Sequence, residues 1–159
     1  MSEALQVVAL VLGILTSIAL VFAIVLIPIS RRAKRLRTDL EEELGEGIDR
    51  TENVRGFGLE SRGRGQVRGN GWLVLTNEEL RFRQWVPERD TTIPLQAVTA
   101  VETPRAWLGK TIGSKLLCVR WRTADGSHDA MAWAVSDLEE WLAALPTQPE
   151  ARRAGHRAR

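Results

Sequence analysis

The 159-residue chain has one cysteine, Cys118, no tyrosine, and two histidines, His128 and His156. One cysteine excludes an intramolecular disulfide framework. Two separated histidines exclude a histidine-rich metal cluster, so neither metal nor cofactor is expected. No G-x-S-x-G, Walker or H-E-x-x-H signature occurs. The pairs Gly63-x-Gly65 and Gly69-x-Gly71 could open a phosphate cradle, but no Lys-Ser/Thr follows and the next segment reads as a strand. Cys118 lies within an apolar run without a neighbouring histidine, which fits a small core residue better than a nucleophile. His128 beside an Asp-Gly turn reads as solvent-exposed, and Asp137, Glu139 and Glu140 as helix-start charges that complement the dipole. The chain is therefore expected to be non-enzymatic. Arginine supplies 19 of the 22 cations, which fits a GC-rich genome.

Excess charge of one sign is also missing from the centre of the chain. The net charge is +2. Arg31, Arg32, Lys34, Arg35 and Arg37 form a basic block, and Asp39, Glu41, Glu42, Glu43 and Glu46 an acidic block directly after it. From Ile48 to Leu145 the chain carries 13 cations and 13 anions. A neutral central region argues against a nucleic-acid-binding domain. The last residues, 146–159, are basic, bear no apolar side chain larger than alanine, and are expected to be disordered.

What the chain has in abundance is apolar length at its start. Residues 4–29 carry no charge, and as a helix they would extend about 39 Å at ~1.5 Å per residue. That exceeds a bilayer core of about 30 Å and predicts a single transmembrane helix. The acidic start, the long run and the missing A-x-A site favour a retained anchor over a cleaved signal. The basic block after Ile29 then places the N-terminus outside and the rest in the cytoplasm, at the plasma membrane. Ala9, Gly13 and Ser17 share one helix face and raise a homodimer seam. Residues 30–47 form a charged stalk with Leu36, Leu40 and Leu44 at i, i+4, i+8. Gly45 and Gly47 end the helix.

From Ile48 the period changes to that of strands. The expected strands lie at 53–60, 71–76 (GWLVLT), 80–85 (LRFRQW), 91–95, 97–103, 116–123 (LLCVRWRT) and 129–135. Residues 61–71 read as a glycine-rich hairpin loop and 104–115 as an irregular loop, in which Trp107 is the one tryptophan expected to be exposed. Asp125-Gly126 reads as a hairpin turn. Ser136 and Glu139 form a capping-box pattern before a single amphipathic helix with Leu138, Trp141, Leu142 and Leu145 on one face, stopped by Pro146.

Three stretches, GWLVLTNEELRF (71–82), IPLQAVTAVE (93–102) and AVSDLEEWLAAL (134–145), resemble bacterial PH-like and GRAM-like domains preceded by one membrane helix. The resemblance implies a mainly β fold over 48–145, a PH-like barrel of about seven strands capped by one C-terminal helix. It also implies a basic headgroup site at the mouth of the first hairpin, which would fall to Arg62, Arg64 and Arg68, with Arg81 and Arg83 on the next strand. The neutral central region and the expected tether favour a different role, a protein-interaction module using a sheet edge or the Trp107 loop. An inner-leaflet phospholipid sensor is the alternative. The anionic lipid and the protein partner are both without a name at this level.

Overall fold

The computed structural model describes residues 3–146. The chain divides into two compact units, residues 1–39 and 40–159. Helix α1 runs Glu3–Leu44 and ends where the glycines indicate, with Gly45 at φ +62°, the left-handed position that glycine occupies after a helix. Among the described residues no helix is long and apolar enough to cross a membrane. The single-pass anchor, its N-out topology and its plasma-membrane placement are corrected accordingly. The side chain of Ala9, one member of the expected seam, lies outside the described residues, as do 147–159 of the basic tail.

Among the described residues the second unit has nine strands. They are β1 Ile48–Leu59, β2 Gly69–Thr76, β3 Glu79–Trp85, β4 Glu88–Pro94, β5 Val98–Glu102, β6 Ala106–Trp107, β7 Lys110–Thr111, β8 Leu117–Arg122 and β9 His128–Ala134, followed by helix α2 Leu138–Ala144. Seven form one antiparallel sheet in the order β4-β3-β2-β1-β9-β8-β5, and β6 and β7 pair separately. The expected closed barrel does not form, because β4 and β5 end the sheet and do not pair with each other. Even so, Ile93 of β4 and Val98 of β5 belong to one buried cluster. Six strand spacings of about 4.8 Å would hold them ~29 Å apart in a flat sheet, so the sheet folds over its own core without closing.

That core takes alternate residues from each strand: Leu73 and Leu75, Leu80 and Phe82, Leu117, Val119 and Trp121, Met131 and Trp133. The period-2 pattern legible in the sequence is thus the inward face. Helix α2 adds Trp141 to the same cluster, and its C-cap adds Leu145. Its N-cap is Asp137, whose side chain accepts from Glu140 N at 3.0 Å, so the helix starts one residue later than the Ser136–Glu139 box implies. Ser136 instead gives its N–H and hydroxyl to Glu52 of β1, at 2.6 and 2.7 Å.

The glycine-rich segment 61–71 is only partly a loop. Gly69 and Gly71 lie in β2, and a Cβ at Gly71 would stand 2.4 Å from the Arg83 carbonyl oxygen and 2.7 Å from Phe82. Glycine there lets β2 and β3 approach around the Phe82 ring, a packing role that a turn reading misses.

Candidate interaction surfaces

The expected headgroup arginines separate into two groups. Arg81 and Arg83 of β3 are committed to carboxylates. Arg81 forks onto Asp90 at 2.6–3.1 Å, and Arg83 donates to Asp90 and to Glu43 from the last turn of α1, at 2.8 Å in each case. Glu43 also lies 2.9 Å from Arg81. The hydrogen bond from Arg83 holds the Glu43 carboxyl below its ordinary range. Burial opposes ionisation of Asp90, but hydrogen bonds from both arginines more than offset it, and its pKa is lowered too. This four-residue cluster fastens the end of α1 to β3.

Both carboxyls titrate at lower pH folded than unfolded, so the stability they add is fully present at neutral pH. It is lost as pH falls through their depressed folded values. Replacing Asp90 with Asn is expected to cost about 1 kcal/mol at pH 7 once solvent screening of these partly exposed groups is allowed for. The difference from the unaltered protein should vanish in urea titrations carried out progressively below pH ~4. A gap that persisted undiminished at the lowest pH would show that Asp90 acts through packing instead.

Arg62, Arg64 and Arg68 lie between β1 and β2. Arg62 and Arg64 are exposed. Arg68 is half-buried, its guanidinium 4.9 Å from the Phe57 ring centroid and donating to Thr111 O at 3.1 Å. The loop is closed by Gln66, whose side chain accepts from Leu59 N and donates to Leu59 O and Gly63 O, at 3.0, 2.6 and 2.8 Å. Of the five arginines only Arg62 lines the small pocket of about 30 Å³ at this mouth, with Gln66, Arg89 and Asp90 among its other walls. The five arginines therefore do not converge on one anion.

Trp107 is buried, not exposed, and its segment is a hairpin. Residues Leu108 and Gly109 have φ of +49° and +75°, both positive as a primed two-residue turn requires. The hairpin closes a second core of Phe57, Trp107, Leu116, Cys118, Ala130 and Ala132. Phe57, Cys118, Ala130 and Ala132 come from the strand positions opposite the main core, so β1, β8 and β9 contribute to a core on both faces. The Trp107 indole donates to Gly58 O at 2.9 Å, and Arg120 lies 5.7 Å over its ring. Lys110 Nζ donates to Gln66 O at 2.5 Å, fastening the hairpin to the β1–β2 loop. Cys118 belongs to this core, where burial pushes its thiol up to about 12, far from a thiolate at neutral pH.

Sequence reasoning missed several polar residues that hold these elements together. Asp129 caps the end of β1 by accepting from Ser61 N at 3.0 Å and Ser61 Oγ at 2.7 Å. Arg120 bridges Glu60 and Glu102 at 2.7 and 3.0 Å. Their partners are distant in sequence, so only the strand register could have revealed them. One usable signal was present: Asp129 stands directly at the head of the apolar run 130–135, and a buried carboxylate needs donors.

The two ends of the sheet differ in character. The outer edge of β4 carries Glu88, Arg89, Asp90 and terminal Pro94, the charge-and-proline pattern that blunts an edge. β5 carries Val98, Thr99, Ala100 and Val101, with its single charge at Glu102. Beside β5 opens a cleft of about 590 Å³, lined by Pro94, Gln96, Val98, Thr99, Arg122 and Ala124 among others. Arg122 is its one charged lining residue.

No protein-family model matches the chain, and no curated protein matches it. Among solved structures, one chain of the 8S snRNP assembly intermediate is similar, with 14% identity and a TM-score of 0.49, covering 64% of this chain and 80% of that chain.

Proposed function

We propose that the β unit is a non-enzymatic protein-interaction module that receives an extended segment along the free edge of β5. The observation that supports this reading is the cleft at the start of β5, lined by Val98 and Thr99 and by the end of β8. An end strand presents unpaired backbone N–H and C=O groups, and an added strand satisfies them while alternate side chains enter flanking pockets. Of the two end strands, β5 is the one without a run of protective charges. Arg122 sets a preference for a carboxylate at one end of the bound segment.

The headgroup-sensing alternative has weaker support, since Arg81 and Arg83 are committed to carboxylates and Arg68 to the hairpin. A photoreactive residue placed at Gln96 or Thr99, in the cells that naturally make the protein, is expected to yield a discrete heteromeric adduct. The Arg122→Glu variant should reduce that adduct about tenfold, the effect of replacing attraction by repulsion at one partly desolvated site. Equal adducts from a probe at Asn77, on the β2–β3 turn, or indifference to Arg122→Glu would reject the edge as the binding site.

A further inference from the structure

The central region is neutral in sum, but the fold does not distribute that charge evenly. Residues 61–77 and 103–124 contain no aspartate or glutamate. The first segment contributes Arg62, Arg64 and Arg68, and the second Arg105, Lys110 and Lys115 before it enters β8. These stretches are far apart in sequence, yet two bonds bring them together: Lys110 Nζ to Gln66 O at 2.5 Å and Arg68 Nη2 to Thr111 O at 3.1 Å. Both bonds end on carbonyls, so neither pairs Lys110 or Arg68 with an acid. Glu60 and Glu102, which precede the two segments, are committed to Arg120, and Asp129, next to Ser61 in space, is committed to Ser61. Beside the joining bonds stand two exposed aliphatic residues, Val67 at 81% and Ile112 at 41%.

We infer that this face, formed by the β1–β2 loop and the β6–β7 hairpin, is a second docking surface whose occupant is an acidic protein segment carrying an aliphatic anchor. Charge complementarity selects the acid, because six cations with no acid in either loop create a local positive potential that the neutral total conceals. Val67 and Ile112 supply the apolar contact that fixes a segment in register. Aromatic residues mark lipid interfaces and base-stacking platforms, and the aromatics of this region, Phe57 and Trp107, are buried beneath the face. A peptide is therefore favoured over a bilayer or a nucleic acid. The inference stands apart from the β5 edge and uses none of its residues.

The test is fluorescence anisotropy on the full chain in neutral detergent, with a labelled Glu-Glu-Leu repeat peptide. Its Gln-Gln-Leu counterpart and detergent micelles doped with phosphatidylglycerol are the competing probes. The acidic peptide is expected to bind, the Gln peptide to bind at least tenfold more weakly, and the difference to shrink with salt. The triple variant Arg62→Gln, Arg64→Gln, Lys115→Gln should weaken binding about tenfold, because three exposed pairs each contribute a modest share. Val67→Ser with Ile112→Ser should weaken it about fivefold and leave the salt dependence unchanged. All five positions are exposed, and an unaltered melting curve for each variant confirms that folding is intact. Equal binding of the two peptides, indifference to the triple variant, preference for the doped micelles, or no binding of the acidic peptide would each overturn the inference.

Discussion

Trp141→Ala is expected to destabilise the β unit by about 3–5 kcal/mol, the range for removing a large aromatic from a packed core. Trp141 is fully buried at the centre of α2 and joins the main cluster beside Leu145 and Trp133. The helix has only seven residues, too few to persist without tertiary packing, and Trp141 is its one fully buried anchor. The indole N–H donates to Glu52 Oε2 at 2.6 Å, while Glu52 Oε1 receives Ser136. Truncation therefore leaves a cavity and also a partly buried carboxylate oxygen without its donor. Arg50 stacks 5.5 Å over the ring and loses that contact as well. Urea unfolding followed by intrinsic fluorescence measures the loss. A change below 1 kcal/mol would mean that α2 is peripheral and that the sheet retains its core without it.

The same helix shows how much of this molecule was legible in its letters. The stripe Leu138, Trp141, Leu142 and Leu145 follows the 3.6 period, and the strand runs of 71–76, 80–85 and 117–122 follow the period of 2. Both periods report which face meets apolar surroundings, so buried positions on a single dominant core can be read directly. Sheet closure cannot be read that way. It depends on whether β4 and β5 meet, which no pattern within either strand encodes. Apolar length over 4–29 predicts a membrane span, whereas among the described residues no helix is long and apolar enough to cross a membrane.

The candidate surfaces were less legible still. Arg62, Arg64, Arg81 and Arg83 read alike as cations in sequence, but β3 pairs with β4 so that Arg81 and Arg83 meet Asp90. The loop arginines face no such strand. Pairing register thus separates the arginines that meet Asp90 across β3 and β4 from the exposed Arg62 and Arg64 of the loop. Glycine misled for a related reason. Gly69 and Gly71 mark close strand approach, whereas Gly63 and Gly126, at φ +70° and +85°, mark turns.

Trp107→Ala is expected to cost about 3–4 kcal/mol, although a tryptophan among Pro104, Gly109 and Gly113 reads as a loop residue. Its ring is 7% exposed and fills the second core against Phe57, Leu116 and Cys118. The loss should exceed simple cavity formation, because the Gly58 carbonyl loses its 2.9 Å donor and Arg120 loses the aromatic face beneath it. The turn gives no reserve stability, since Leu108 at φ +49° already holds a conformation unfavourable to a branched side chain. Once the Trp107 anchor is gone, the hairpin should open locally before the sheet unfolds. Cys118 beneath it should then become reactive. The measurement is the rate of Cys118 labelling by a neutral maleimide under native conditions, alongside the urea midpoint. Labelling is expected to rise at least a hundredfold in the variant, while the Trp141→Ala protein at matched stability rises less because its lesion lies on the opposite face. Labelling that follows global stability equally in both variants would show that the hairpin and the sheet open as one unit.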